Sequence, residues 1–122
     1  MARMYAKVAG IVVLLIGVVG LFIGNEDLLG LFNIDVVEDF IHIGSGGLLT
    51  YLGFAGTDGA VRSVVGLLGV VYLLVGLIGF VVPELFGLLP HTLDLPDQLL
   101  HLALGAVALI AVASDKKVPA TA

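Results

Sequence analysis

Four stretches of the chain carry no Asp, Glu, Lys or Arg, and they limit its fold more than any other feature. They run Val8–Gly24, Phe40–Thr57, Ser63–Val82 and Leu99–Ser114. Each holds 16–20 residues, near the ~17–25 that cross ~30 Å of hydrocarbon as an α-helix. The second and fourth can begin earlier, near Val36 and Leu95, if the acids of their first turns sit at headgroup depth. Continuous apolar runs argue against a β-barrel, whose ~10-residue strands alternate in polarity. The chain reads as an all-α membrane protein with four transmembrane helices.

Composition agrees. Hydrophobic residues make up 60% of the chain and charged ones 12%, and the mean hydropathy is +1.20. A soluble domain of 122 residues leaves too much surface exposed to hide that much apolar material. A soluble enzyme, a nucleic-acid binder and a disordered segment are therefore excluded. With no cysteine, disulfides, thiolate metal sites, iron–sulfur clusters and Cys nucleophiles are excluded as well. The basic start, Arg3 and Lys7, before an apolar run resembles a signal peptide. Leu21-Phe22-Ile23-Gly24-Asn25 lacks the small-residue cleavage pattern, so the run is expected to remain as the first helix.

The two halves resemble each other at an offset of 59 residues. Gly10, Gly17 and Gly20 fall on Gly69, Gly76 and Gly79, while Asp35, His42 and Gly46 fall on Asp94, His101 and Gly105. One domain over residues 1–122 is expected, with repeat 1 at about 5–57 and repeat 2 at about 62–114. Each repeat holds an even number of helices, so the duplication is parallel, unlike the inverted repeats of many transporters.

Charge fixes the expected orientation. Arg3 and Lys7 precede the first helix, Arg62 lies between the second and third, and Lys116 and Lys117 follow the fourth. By the positive-inside rule these mark the cytoplasmic face of a cell-membrane protein, with both termini inside. Eight acids, including Glu26, Asp27 and Glu84, fall on the other face. The apolar pieces Leu28–Phe32 and Leu85–Leu89 in the two outer loops are too short to span and read as interfacial turns. Asp35 with Glu38, and Asp94 with Asp97, read as caps of helices 2 and 4, where carboxylates meet the positive end of the helix dipole.

Glycines at heptad spacing let helix backbones approach closely. Gly10, Gly17 and Gly20 in helix 1 and Gly69, Gly76 and Gly79 in helix 3 predict a seam along which these two helices meet. Gly44-Ser45-Gly46-Gly47 in helix 2 predicts a loosened or kinked segment.

Apart from tyrosines, the spans contain two ionisable side chains, His42 and His101. Such groups usually face the bundle interior and are functional candidates by default. Three readings follow. Each imidazole can hydrogen-bond a neighbour, with Glu38 and Asp97 one turn earlier, and so fix helix register. Alternatively the pair can hold a haem iron or a chlorophyll-type pigment as axial ligands. The third is a proton relay. His91 lies in an outer loop and has no assigned role.

Gly17 and Gly20, Glu38-Asp39-Phe40-Ile41-His42 with Gly46, Gly69-Val70-Val71-Tyr72, and Asp97-Gln98-Leu99-Leu100-His101 with Gly105 form a recognisable pattern. It resembles the small four-helix prokaryotic membrane proteins grouped as domain of unknown function 4383, over roughly Tyr5 to Ala113. The resemblance implies a multi-pass membrane location and brings no activity with it.

The expected function is non-enzymatic: helix packing and assembly in the lipid bilayer, as a homo-oligomer or with other membrane subunits. It needs no cofactor, and nucleic acid is not a partner. The alternative is a haem- or pigment-bearing protein with His42 and His101 as ligands. A transporter ranks below both, because no carboxylate is expected inside the spans.

Overall fold

The structure is a computed structural model and describes residues 1–23, 36–81 and 95–115. Four α-helices lie within those residues: α1 (Ala2–Ile23), α2 (Val36–Ala55), α3 (Asp58–Val81) and α4 (Leu95–Asp115). Helices α2 and α4 begin at Val36 and Leu95, the earlier of the two expected starts. Three of the four are long and apolar enough to cross a membrane: Ala2–Phe22, Asp58–Val81 and Gln98–Asp115. Helix α2 is 20 residues long, but Glu38, Asp39, His42, Ser45 and Thr50 lower its hydropathy, so the expected fourth span does not stand on length and composition alone. The two outer-loop turns, the cap residues Asp35 and Asp94, and His91 lie outside the described residues.

Large apolar side chains lie on the surface while several polar ones lie inside. Phe22, Phe40, Tyr51, Phe54, Leu67 and Val81 are exposed, whereas Glu38, Asp39, Gln98 and His101 are buried. In water that arrangement is reversed. With three helices of spanning length and apolarity, this is the pattern of a membrane protein.

Helices pack mainly as two antiparallel pairs, α1 with α2 and α3 with α4. Glycine explains the closeness of each pair. A Cβ on Gly46 of α2 would strike the backbone of Leu14 and Gly10 in α1. One on Gly105 of α4 would come within 2.5 Å of the Leu73 nitrogen and 2.7 Å of the Gly69 oxygen in α3. Gly10, Gly17 and Gly20 likewise face α2, at Thr50, Ile43 and Asp39, while Gly69 and Gly76 face α4, at Ala108 and Leu102. The expected glycine seam between α1 and α3 is therefore incorrect. Glycine spacing announces a close-packing face but not its partner, and the matching glycines Gly46 and Gly105 sit on α2 and α4. Helices α1 and α3 meet through other side chains. Ala2, Ala6 and Ala9 join Val61 and Val65 in a small apolar core, closed by Leu49, Ala108 and Ala111.

Gly44-Ser45-Gly46-Gly47 is helical throughout. Only Gly46 of its three glycines is packed; nothing lies within 4 Å of a Cβ placed on Gly44 or Gly47. Ser45 and Thr50 return their hydroxyls to the carbonyls of Ile41 and Gly46, at 2.7 and 2.8 Å. That hides two polar groups within the helix.

The end of the bundle near Met1 is held by polar clasps. Arg3 in α1 donates to the carbonyls of Leu52, Gly53 and Gly56 at 3.4, 3.0 and 2.9 Å, and to the Asp58 carboxylate at 2.6 Å. The Leu52 carbonyl also accepts from the Gly56 N–H at 2.8 Å, so Arg3 chiefly serves the Gly53 and Gly56 carbonyls at and just past the end of α2. The Asp115 carboxylate, at the end of α4, accepts from the Met1 ammonium at 2.9 Å and the Ala2 N–H at 2.8 Å. It acts as an N-cap for α1 supplied by another helix. Thr57 caps α3, accepting from the Ala60 N–H at 3.1 Å. Arg3, Asp58 and Arg62, expected in flanking or loop segments, are all helical.

These contacts separate the glycines into two classes. Gly46→Ala and Gly105→Ala are expected to destabilise the protein by ~1–3 kcal/mol, because the facing backbone must move. Gly44→Ala and Gly47→Ala should be neutral or stabilise by up to ~1 kcal/mol through helix propensity alone. Thermal unfolding in a mild detergent checks both classes in one series.

Candidate functional site

The far end of the bundle, where α1 finishes and α2 and α4 begin, has a polar interior. Asp39, His42 and Ser45 recur every three residues along α2, with Glu38 four before His42, which puts them on one side of the helix. Gln98 and His101 stand in the same relation on α4. Helix α3 contributes Tyr72, buried with 3% exposure. Asp39, 1% exposed, and Glu38, 6% exposed, are buried carboxylates. Both lie in the first turn of α2, where the sequence places acids at headgroup depth, and both are buried between helices there.

Glycine makes the room. A Cβ on Gly20 of α1 would collide with the Asp39 carboxylate, so this carboxylate occupies the space left by the missing side chain. On the other pair, Gln98 donates to the carbonyl of Gly79 in α3 at 2.8 Å.

His42 and His101 come together at the centre. Their ring centroids are 6.0 Å apart, with 26° between the ring planes. Tyr72 lies 6.1 Å from His101 at 40°, and its hydroxyl donates to Ser45 Oγ at 2.6 Å. The Ser45 hydroxyl in turn donates to the Ile41 carbonyl. Among the described residues, no Cα of α2 lies within 8 Å of a Cα of α4. The imidazoles therefore reach across a gap that the two backbones leave.

Sequence reasoning found both histidines from their rarity in apolar spans. It missed Tyr72 and Ser45 as their companions, because neither stands out in an apolar run. It also read Asp39 only as one of the outer acids. The Gly20–Asp39 and Gly79–Gln98 contacts had a signal, since Asp39 and Gln98 occupy the same position of the two halves. Asp97 is the third residue of α4. No group of three or more His, Asp or Glu side chains able to hold a metal ion occurs among the described residues.

Tyr72→Phe removes the donor to Ser45, and Gln98→Leu removes the donor to Gly79. Each is expected to cost ~0.5–1.5 kcal/mol, the ordinary net value of a hydrogen bond, and to leave helix content unchanged. Denaturant titration with circular dichroism measures both quantities.

No curated protein and no solved structure matches the chain. A family match covers residues 3–114, which includes all four helices apart from the outermost residues of α1 and α4. With nearly its full length matched, the chain belongs to the family described as Domain of unknown function (DUF4383).

Proposed function

We propose that this is a non-enzymatic, multi-pass membrane protein that acts through helix packing and assembly, with itself or as an accessory subunit of a larger membrane complex. The observation that carries the reading is the His42–His101 contact. Each helix pair is a tight glycine-packed hairpin, and the polar cluster locks one hairpin to the other. Polar groups inside a membrane bundle specify which helices meet and in what register, because their alternatives in lipid are poor. Assembly is further supported by the apolar surface. Only 28–33% of each spanning segment is buried within the chain, leaving broad faces for lipid or for partner helices.

The reading includes four spans built as a parallel duplication. Supporting it, the contact of Gly46 with Leu14 and Gly10 recurs in Gly105 with Leu73 and Gly69, each residue 59 positions further along. Helix α2 counts as a span despite its polar residues, since Glu38 and Asp39 are buried and the Ser45 and Thr50 hydroxyls are bonded within the helix. By the charge distribution, both termini and Arg62 are cytoplasmic. Thiol labelling tests this directly in a chain without native cysteine. Gly30→Cys and Gly87→Cys should react with an impermeant reagent in intact cells. Reaction only after permeabilisation overturns the orientation.

The histidine contact also favours a second reading, in which two imidazoles from different helices hold a haem or chlorophyll-type pigment. Substitution separates the two. As a structural lock, His42→Gln and His101→Gln keep hydrogen-bonding capacity and are tolerated, whereas the Leu variants lose ~1–3 kcal/mol. As cofactor ligands, Gln fails as badly as Leu, and visible absorbance disappears from the purified protein. Native mass spectrometry of the wild type reads assembly at the same time. A colourless protein found only as a lone chain sinks both readings.

A further inference from the structure

The spacing of His42 and His101 restricts what they could hold together. Two imidazole nitrogens, each ~2 Å from one ion, stand ~4 Å apart when they oppose each other, which puts the ring centres ~6 Å apart. A tetrahedral angle at the ion brings the same centres to about 5 Å. Here the ring centroids are 6.0 Å apart, with 26° between the planes. The rings thus stand at the separation suited to a near-linear, two-coordinate ion.

Ligand count points the same way. Structural zinc takes four protein ligands, and no group of three or more His, Asp or Glu side chains able to hold a metal ion occurs among the described residues. The Tyr72 hydroxyl donates to Ser45 Oγ at 2.6 Å, so it is already engaged and does not supply a third ligand. An ion held by the two imidazoles alone needs no further slot.

Charge narrows the choice. His101 is buried and His42 half-buried. The cost of taking an ion out of water grows with the square of its charge, so a monovalent cation costs about a quarter as much as a divalent one. Glu38 and Asp39, buried at the same end of the bundle, attract a cation to it. Hard cations such as magnesium and calcium take oxygen ligands, whereas imidazole suits copper. Cuprous ion is monovalent and is satisfied by two ligands in line.

We infer that His42 and His101 form a two-coordinate site for a soft monovalent metal ion, cuprous copper, bound between the two hairpins. This deepens the reading of the pair as a ligand-holding contact and does not depend on assembly between chains.

Purified protein in mild detergent is titrated anaerobically with cuprous ion against bicinchoninate, a coloured chelator of that ion, and the loaded protein is measured by X-ray absorption. The wild type should retain one ion per chain, with two nitrogen neighbours at ~2 Å. His42→Gln and His101→Gln should each weaken retention by about a hundredfold or more, since an outer-shell partner alone is worth ~10–100-fold. Thioethers also bind cuprous ion, and both methionines, Met1 and Met4, lie at the other end of the bundle. Met4→Leu should therefore leave retention unchanged. Absence of retained copper in the wild type overturns the proposal, as does sulfur among the neighbours, retention lost with Met4→Leu, or retention kept in both Gln variants. Where a Gln variant fails to fold, the neighbours seen in the wild type decide alone. Native mass spectrometry without copper reads assembly separately, so failure of one reading leaves the other standing.

Discussion

A polar group inside a membrane bundle has no water to turn to, and the placement of glycine in this protein follows from that constraint. Glycine serves two purposes. At Gly10, Gly46, Gly69 and Gly105 it brings backbones into direct contact, where dispersion between close-packed atoms outweighs contact with lipid. At Gly20 it clears space for a buried carboxylate, and at Gly79 its carbonyl accepts a side-chain amide. The first use builds each hairpin; the second lets the hairpins share a polar interior. An alanine at Gly20 would collide with the Asp39 carboxylate, so the two uses are coupled through the same helix.

The bundle has different chemistry at its two ends. Near Met1 the interior is alanine and valine, and the polar contacts are peripheral clasps: Arg3 on the end of α2, Asp115 on the start of α1. Near the His pair the interior is polar and the exposed side chains are aromatic and aliphatic, such as Phe22, Phe40 and Val81. A small core of alanine lets α1 and α3 touch at one end. At the other, imidazole, phenol and carboxamide fill the wider space between the helices. The histidines reach across a gap, since among the described residues no Cα of α2 lies within 8 Å of a Cα of α4.

Much of this was legible in the sequence. Uncharged runs located the helices, and acids in the first turns of α2 and α4 set their earlier starts at Val36 and Leu95. The rarity of histidine in apolar spans picked out the pair at the centre. What could not be read is which face meets which. The spacing of Gly10 and Gly17 is the same whether the neighbour is α2 or α3, and only three-dimensional packing decides it. Arg3 is similar. Its charge signals orientation, but its bonds to the end of α2 depend on the two-residue connection Gly56–Thr57 that brings Asp58 alongside. Burial of Asp39 was also hidden, since a carboxylate next to a helix start normally explains itself as a cap.

Buried positions 59 residues apart in the two halves of the chain differ in polarity. Where α2 has Asp39, α4 has Gln98, and where α3 has Tyr72, α1 has Val13. All four are buried. The carboxylate thus lies in one hairpin and this phenol in the other. Asp39 and Gln98 each turn to a glycine of their own hairpin, Gly20 and Gly79, whereas the Tyr72–Ser45 bond and the His42–His101 contact run between hairpins. These contacts between hairpins are thus polar and interior, which leaves the apolar outer faces as the surface offered to lipid.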